Sequence, residues 1–305
     1  MAQYSCIVIG AGPAALQAAL FLARANVKTL VSGKPEESDL AYGRIIGNLF
    51  SASNEPPGKT LLENAQDQIK KYGAEMIKEE VVDLQQMQNQ EFEITTETGK
   101  KFTAQAVIIA TGASHVKAGI DGEDKFFGAG VHTCVACDGP LTKGKKIAVV
   151  GSGSHAAQEA IELTTFTSQV TIFTQGDTPS WSKELENLVK EKNIIISDKR
   201  IKALKGDKKI EGIILADKSE DSCDGIFIAM GSASGITFAY KLGLEQKDNF
   251  LVISRDGKTN LEGIFAAGAV TGGNSQIAKS IGEGCNAAIS VIKKVKGLSQ
   301  YADQT

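Results

Sequence analysis

A glycine-rich loop between an apolar strand and a helix occurs twice in this chain of 305 residues. The first loop, Gly10-Ala11-Gly12-Pro13-Ala14-Ala15, follows an apolar run at 4–9, and the second, Gly151-Ser152-Gly153-Ser154-His155-Ala156, follows one at 146–150. In each loop the glycines allow a tight turn, so that a pyrophosphate can meet the amides at the helix N-terminus. The repeat predicts an α/β fold with two Rossmann-like nucleotide-binding domains.

A cysteine pair, Cys134-Val135-Ala136-Cys137-Asp138-Gly139, lies between the two loops. Two cysteines at this spacing can close a small disulfide ring, and the acid behind them can supply a proton when the ring opens. Zinc needs four ligands, and the sequence has no second cysteine pair, so no metal site is expected. A structural disulfide or a vestigial pair is the alternative. His132 could tune Cys134 or could be an ordinary hydrogen-bonded or surface histidine.

The composition, with 42% hydrophobic and 23% charged residues, is typical of a globular chain with two cores. A formal net charge of -3 gives no broad basic surface, so no nucleic-acid role is expected. No apolar stretch approaches the roughly 20 residues that span a bilayer, and the N-terminus lacks a signal-peptide pattern. Together with only five cysteines, these features predict a cytoplasmic protein without a membrane role.

Later apolar runs complete the expected sheets. The runs at 107–112 and 225–231 each end in small residues and could each close one nucleotide sheet. The run at 263–268 and the helical pattern at 276–295 form the last block of the chain. We expect this block to return to the first domain.

These motifs together resemble the low-molecular-weight thioredoxin reductase family of flavoproteins over nearly the whole chain. The resemblance rests on an ordered set of motifs: Gly-x-Gly-Pro-Ala at 10–14, Ala-Thr-Gly at 110–112, Cys-x-x-Cys-Asp-Gly at 134–139, Gly-x-Gly-x-x-Ala at 151–156, Gly-Ile-Phe-Ala-Ala-Gly at 263–268 and Glu-Gly-Cys-x-Ala-Ala at 283–288. It implies a homodimer that reduces a thioredoxin-like disulfide protein. It also implies an FAD domain in two segments, 1–114 and 242–305, interrupted by a dithiol-carrying domain at 115–241.

The resemblance assigns roles to individual residues. Cys137 would face the flavin, Cys134 would exchange with the partner disulfide, and Asp138 would donate and accept the proton. The second glycine loop would hold its nucleotide at Gly151 and Gly153. The implied FAD contacts are Gly10, Gly12, Pro13, Ala14, Ser32, Asn48, Thr111, Gly112, Gly268, Gln276, Ile277 and Ala278.

One departure from the family concerns the electron donor. NADPH-dependent members carry a His-Arg-Arg run and a further arginine after the strand of the second unit, whereas 174–182 contains neither Arg nor Lys and includes Asp177. NADPH is therefore not the expected donor. The second site could take NADH, could hold a second flavin or could be an empty relic. Some family branches use ferredoxin, and a ferredoxin-like donor ranks first.

Two further departures affect the flavin side. Ala269 stands where typical members have an aspartate that binds the ribityl chain, and the loop at 42–48 is short. The shortened loop would open space beside the flavin ring, which Tyr42 or Tyr301 could cap unless each is an ordinary surface tyrosine. The alternatives to a ferredoxin-linked reductase are an NADH-dependent disulfide reductase and a non-catalytic redox-sensing flavoprotein.

Overall fold

The computed structural model describes residues 2–42, 45–52, 54–112, 117–133, 135–230, 235–247, 250–274 and 276–302. The strands are β1 Ala2–Ile9, β2 Thr29–Ser32, β3 Glu75–Ile77, β4 Val81–Gln86, β5 Phe92–Thr96, β6 Lys101–Ile109, β7 Val131–His132, β8 Lys146–Val150, β9 Gln169–Phe173, β10 Ile195–Ser197, β11 Ile201–Lys205, β12 Gly212–Leu215, β13 Glu220–Ser222, β14 Gly225–Ile228, β15 Gln246–Lys247, β16 Phe250–Leu251 and β17 Ile264–Ala266. The helices are α1 Pro13–Arg24, α2 Gly58–Lys71, α3 Val135–Asp138, α4 Ser154–Leu163, α5 Lys183–Glu191, α6 Gly235–Leu242 and α7 Ile277–Lys296. Short 3-10 turns occur at Pro35–Glu37, Asp39–Tyr42, Gly139–Thr142 and Ala269–Thr271.

The chain divides into two compact units. Unit 1 comprises 1–96, 100–114 and 234–305, and unit 2 comprises 97–99 and 115–233. Helix α6 belongs to unit 1, so the chain returns to this unit earlier than the boundary at 242 expected from the sequence. The reason is packing: α6 lies against β4 and β16, and a Cβ on Gly235 would be 2.3 Å from Val270 Cγ2.

The main sheet of unit 1 has the order β3-β2-β1-β6-β5-β4, and β17 also pairs with β6. Strands β1, β2, β3, β6 and β17 are parallel, whereas β4 and β5 extend the sheet as antiparallel strands. After β1 the chain crosses through α1 to β2 on one side, while β6 lies on the other side. The carboxyl ends of β1 and β6 therefore form a switch point, where open α/β sheets bind ligands. The pairing of β17 with β6 confirms that the last block returns to the first domain.

Helices α1 and α7 pack closely on one face of this sheet. The buried face of α1 is rich in alanine, and the buried face of α7 adds Ala287, Ala288, Val291 and Ile292. A Cβ on Gly284 of α7 would lie 2.3 Å from the carbonyl oxygen of Ala14, so only glycine permits this approach. The contact holds α7 against the glycine loop that precedes α1. Tyr301 packs against the same core and is only partly exposed.

Unit 2 contains a parallel sheet in the order β10-β9-β8-β14-β7 and an antiparallel sheet of β11, β12 and β13. Strand β14 pairs with β8, as β6 pairs with β1, which confirms that the runs at 107–112 and 225–231 close the two nucleotide sheets. Both units therefore have the doubly wound α/β architecture predicted from the repeated loop. Within the described ranges, no helix combines the length and apolar character required for a membrane span.

Candidate active site

The first glycine loop passes tightly across the carboxyl end of the unit 1 sheet. Gly10 has a φ of +116°, and a Cβ there would be 2.2 Å from the carbonyl oxygen of Ala110, at the end of β6. The next turn places Gly12 at the N-cap of α1 and Pro13 in its first turn, with no side chain capping the free amides. Those amides carry the positive end of the helix dipole, so the loop is shaped to receive a phosphate.

A buried hydroxyl beside this loop is left without a partner. Thr111 Oγ1 has no hydrogen-bond partner among the residues the structure describes. A buried polar atom left unpaired costs about 1–3 kcal/mol. Because Thr111 follows Ala110, which touches Gly10, a polar ligand at the loop would satisfy the hydroxyl. The cradle at Gly10 and the unpaired hydroxyl at Thr111 both fit a dinucleotide such as FAD.

Two predicted flavin residues from distant parts of the chain meet in unit 1. Asn48 Nδ2 donates a hydrogen bond of 2.9 Å to Gln276 Oε1, and both side chains are exposed. Gln276 is the N-cap of α7 and leaves the first amides of that helix, at Ile277 and Ala278, without a side-chain cap. The contact therefore joins the short loop at 42–48 to a helix N-terminus. Gly43 and Arg44 of this loop, and the side chain of Tyr42, lie outside the described residues.

An ion pair on α7 fixes the turn that contains Ala269. Glu283 accepts hydrogen bonds from the Gly268 amide (2.9 Å) and from Thr271 Oγ1 (2.8 Å). Lys279 pairs with Glu283 at 2.9 Å and donates to the carbonyl oxygens of Gly268 and Gly272. The turn is thus held by this pair, with alanine at position 269. Sequence reasoning quoted Glu283 as the first residue of the motif at 283–288 but gave it no role, and it missed Lys279, which lies in none of the motifs.

The remaining predicted flavin residues lie along the same carboxyl edge. Ser32 ends β2, accepts the Gly10 amide through its carbonyl oxygen and donates its hydroxyl to the carbonyl oxygen of Glu79. A Cβ on Gly268 would be 2.9 Å from the Cβ of Ala14, which brings the turn after β17 to the first glycine loop. Unit 1 therefore gathers at one edge the predicted residues Gly10, Gly12, Pro13, Ala14, Ser32, Asn48, Thr111, Gly112, Gly268, Gln276, Ile277 and Ala278.

The cysteine pair belongs to unit 2. Cys134 lies outside the described residues, and Cys137 is described only by its place in helix α3. The N-terminus of α3 is held by Glu159 of α4, whose buried carboxylate accepts the Val135 amide at 2.7 Å. After α3, a Cβ on Gly139 would be 2.5 Å from the Phe166 ring, so the turn needs glycine. Sequence reasoning did not identify Glu159.

Asp138, the residue that follows Cys137 in the chain, pairs with His132. His132 Nδ1 and Asp138 Oδ2 are 2.8 Å apart. The His132 side chain is 11% exposed, whereas that of Asp138 is 36% exposed. His132 is therefore hydrogen-bonded and mostly buried, not a surface histidine, and its partner is the predicted proton carrier.

The second glycine loop repeats the geometry of the first. Gly151 has a φ of +152°, and a Cβ there would be 2.4 Å from the carbonyl oxygen of Ala229, which follows β14. Gly153 is the N-cap of α4 and provides no side-chain cap. Within unit 2, Ser154 Oγ donates to Glu97 Oε2 at 2.6 Å, so a carboxylate lies at the first residue of α4. An anion at this position interacts favourably with the helix N-terminus.

The edge where a nucleotide ribose would lie is polar. Thr174 Oγ1 is buried and unpaired within the described part of the chain. Gln175 is bound to the backbone of Ile201 by two hydrogen bonds, of 2.7 Å and 3.3 Å. A Cβ on Gly176 would be 2.9 Å from Arg200 Nε, so a cation from another part of the chain reaches this edge. The sequence pattern after β9 did not reveal Arg200, which lies beyond β10.

The other cysteines have no place in this site. Burial raises the pKa of Cys6, and burial also raises the pKa of Cys223 to about 11, so both stay protonated at neutral pH. Cys6 and Cys223 are buried, whereas Cys285 is only partly buried. No cluster of metal-ligating side chains occurs among the residues described.

The chain matches known proteins along nearly its full length. The family model for pyridine nucleotide-disulphide oxidoreductases matches residues 4–284. The thioredoxin reductase of Treponema pallidum (strain Nichols) is 34% identical over 281 residues, which cover 88% of this chain and 89% of that protein.

Solved structures give the same result. The atypical thioredoxin reductase TRi from Desulfovibrio vulgaris Hildenborough is 38% identical, with a TM-score of 0.85 over 98% of this chain and 100% of that chain. A ferredoxin-flavin thioredoxin reductase from Clostridium acetobutylicum is 30% identical, with a TM-score of 0.69 over 97% and 99% of the two chains. Two nucleotide-type units, a Cys-x-x-Cys-Asp-Gly motif and these matches lead to one conclusion: the chain belongs to the pyridine nucleotide-disulphide oxidoreductase family and is a flavin-dependent disulfide oxidoreductase of the thioredoxin reductase type.

Proposed function

We propose that this enzyme reduces a thioredoxin-like protein disulfide with electrons from a donor other than NADPH, in the first place a ferredoxin-like protein. FAD, when bound in unit 1, supplies the two electrons that open the Cys134–Cys137 disulfide. The similarity to a ferredoxin-flavin thioredoxin reductase supports a ferredoxin-like donor. We expect the enzyme to act as a homodimer in a reducing cytoplasm.

The observation that carries the donor proposal is the lack of a phosphate clamp after β9. The side-chain amide of Gln175 is already hydrogen-bonded to the backbone of Ile201. Asp177 adds a negative charge close to it in the sequence, which would repel a phosphate. A 2′-phosphate needs cationic partners that bind it in two places. The contacts around Gly176 bring one cation, Arg200, to this edge, and one guanidinium is less than the paired cations that a 2′-phosphate needs.

The dithiol chemistry follows from the order of residues in the motif. Cys137 is proposed as the flavin-side thiol and Cys134 as the thiol that attacks the partner disulfide. Asp138 lies directly after Cys137 and is partly exposed, so its carboxyl group can exchange protons with both sulfur and water. The partner then leaves as a dithiol, and the enzyme returns to the disulfide.

A second candidate is an NADH-dependent disulfide reductase. Gly151 and Gly153 retain the geometry of a pyrophosphate loop, and the edge after β9 carries the Thr174 hydroxyl, which is unpaired among the described residues. NADH lacks the 2′-phosphate, so the absence of a full cationic clamp does not oppose it.

The test compares reductants on the purified protein after the molar ratio of FAD to protomer has been measured. The protein is mixed anaerobically with NADPH, NADH or reduced ferredoxin, and bleaching of the visible flavin band is followed. We expect reduced ferredoxin to bleach the band and micromolar NADPH to leave it unchanged. Rapid bleaching by NADPH would refute the donor proposal, and bleaching by NADH alone would establish the second candidate.

A matched variant separates flavin reduction from disulfide reduction. Cys134→Ser removes only the thiol proposed to exchange with the partner, so its flavin should still be bleached by the same donor. Reduction of a thioredoxin disulfide should be lost in this variant. Retention of thioredoxin reduction by Cys134→Ser would show that the assigned dithiol is not the route of the electrons.

A further inference from the structure

We infer that His132 is a positioning residue for the proton transfer that accompanies thiol–disulfide exchange at Cys134 and Cys137. The inference rests on the proposed function and concerns the same dithiol. Its starting point is the 2.8 Å contact between His132 Nδ1 and Asp138 Oδ2. Asp138 is the residue proposed to carry the proton, and His132 touches it without belonging to the Cys-x-x-Cys-Asp-Gly motif.

The imidazole of His132 is fixed by the sheet of unit 2. His132 ends β7, which pairs with β14 in a register that sets His132 beside Phe227. The two rings are stacked, with centroids 5.0 Å apart and planes 27° apart. Phe227 is fully buried, so its ring cannot shift without disturbing the core. The plane and position of the imidazole are therefore set by packing, independently of the bond to Asp138.

The carboxylate of Asp138 is presented by a helix that is held at both ends. Glu159 binds the Val135 amide at the start of α3, and Gly139 at its end packs closely against Phe166. The Asp138 side chain itself is partly exposed and has several rotamers available without a partner. The bond to His132 selects one of them. It engages Oδ2 and leaves Oδ1 as the oxygen that can exchange a proton with sulfur.

The chemistry of the pair sets the direction of the hydrogen bond. An ionised carboxylate only accepts hydrogen bonds, so Nδ1 of His132 carries the hydrogen and donates it to Oδ2. The bond therefore runs from the imidazole to the carboxylate and orients Asp138 as the group that accepts the thiol proton in the proposed step.

In the proposed exchange, each enzyme thiol passes its proton through Asp138 to a sulfur of the partner. Cys134 loses its thiol proton to Oδ1 of Asp138, and its sulfur attacks one sulfur of the partner disulfide. The partner S–S bond breaks, and the leaving thiolate takes the proton from Asp138. Cys137 next loses its thiol proton to Asp138, and its thiolate attacks the Cys134 sulfur of the mixed disulfide. This attack forms the enzyme disulfide and releases the second partner sulfur as a thiolate, which takes the proton from Asp138. The partner gains two electrons and two protons, and the dithiol loses them.

The test uses two small disulfides that differ in the thiolate they release. Hydroxyethyl disulfide releases a basic thiolate, which must be protonated, whereas dithiobis(nitrobenzoic acid) releases an acidic thiol that leaves as the anion. The FAD-loaded enzyme is reduced with dithiothreitol, desalted anaerobically and mixed with each disulfide in a single turnover. The rates are compared for wild type, His132→Phe, His132→Asn, His132→Gln and Asp138→Asn.

His132→Phe keeps a ring that can stack on Phe227 but has no donor for Asp138. We expect it to slow the reduction of hydroxyethyl disulfide about tenfold or more, while the nitrobenzoate rate changes by less than about twofold. His132→Asn places an amide donor near the position of Nδ1 and should recover most of the lost rate. His132→Gln places its amide near Nε2 instead and should recover less. Asp138→Asn should also slow the reduction of hydroxyethyl disulfide more than that of the nitrobenzoate disulfide. Combining it with His132→Phe should slow the reduction no further, because both changes remove the same proton transfer.

The outcomes separate the two proposals. If His132→Phe slows the reduction of both disulfides equally, the role of His132 is refuted and the proposed function stands. The same holds if His132→Phe slows neither reduction while Asp138→Asn slows the reduction of hydroxyethyl disulfide. Equal rates for His132→Asn and His132→Gln would also refute it, even if His132→Phe does not fold. If the wild type reduces neither disulfide, the proposed function itself fails.

Discussion

The Lys279 ammonium group lies 2.8 Å from the carbonyl oxygen of Gly268, across the turn that connects β17 to α7. Its ion-pair partner, Glu283, binds the amide of the same Gly268 at 2.9 Å. The two charged side chains of α7 therefore bind both the backbone N–H and the backbone C=O of Gly268, at the predicted flavin edge. Because Ala269 has no polar side chain, this pair supplies the side-chain hydrogen bonds that fix the turn.

Lys279→Met should weaken FAD binding, because the turn at 268–272 loses its charge-assisted hydrogen bonds. Each such bond contributes about 1.5–3 kcal/mol, so we expect FAD affinity to fall about tenfold or more. Lys294→Met is a matched control on the same helix, since Lys294 pairs with Glu262, whose side chain is 86% exposed. The dissociation constant of FAD is measured by titration of apoprotein. Equal affinities for the two variants would contradict this role of Lys279.

Gly10→Ala should lower both stability and FAD content. The new Cβ would be 2.2 Å from the carbonyl oxygen of Ala110, at a φ of +116° that side chains rarely adopt. Gly73→Ala is the control, because Gly73 has a φ of +89° but no atom within 4 Å of the added Cβ. Thermal unfolding and extracted FAD are measured for both. The prediction fails if Gly10→Ala retains as much FAD as Gly73→Ala.

The architecture could be predicted from the sequence because its signals are local. Each glycine loop lies directly between an apolar strand and an apolar helix face, and that spacing alone indicates a βαβ unit. The closing strands were also predictable, since 107–112 and 225–231 are short apolar runs that end in small residues. The boundary near α6 was not, because the packing of Gly235 against Val270 depends on the tertiary fold.

The side-chain pairs at the site could not be predicted for a related reason. His132 and Asp138 are close in sequence, but their bond depends on the register of β7 against β14. Arg200 reaches Gly176 only because β10 and β9 are neighbours in the sheet. A pattern along the chain indicates which residue types are present, and it does not show which side chains meet across strands.

The two cysteines should give different spectra when each is replaced. Cys134→Ser leaves Cys137, the proposed flavin-side thiol, free to form a long-wavelength charge-transfer band with oxidised FAD. Cys137→Ser should show no such band, because only a thiolate beside the ring can donate to it. Absorbance spectra of both FAD-loaded variants decide the matter. The reverse pattern would invert the assigned roles of the two thiols.

Alkaline pH should destabilise the protein through its buried thiols. Burial raises the pKa of Cys223 from 9.0 to about 11 in the fold, whereas the unfolded chain has the ordinary value. Between these pH values the unfolded state binds fewer protons than the native state, so stability is full below pH 9 and falls as the pH rises towards 11.

Cys223→Ala removes this proton linkage and should make stability fall less steeply over the same pH range. Urea unfolding at several pH values measures the effect for wild type and variant. Cys285→Ala is the comparison, because Cys285 is only partly buried. An unchanged slope in Cys223→Ala would show that this thiol does not contribute to the alkaline loss.

Gly153→Val should block any nucleotide at the second loop and leave FAD in unit 1 unchanged. Gly153 is the N-cap of α4, where a pyrophosphate would approach the backbone, and a branched side chain there would exclude it. The intact loop, together with the lack of Arg and Lys at 174–182, favours a ligand without a 2′-phosphate over an abandoned site. Flavin and nucleotide are extracted and quantified for both proteins, and NADH and added FAD are titrated. One outcome is that the wild type holds one FAD and no second nucleotide, and that NADH and added FAD bind both proteins equally weakly. The second loop is then a relic, and a protein electron donor is left as the source of electrons for the flavin.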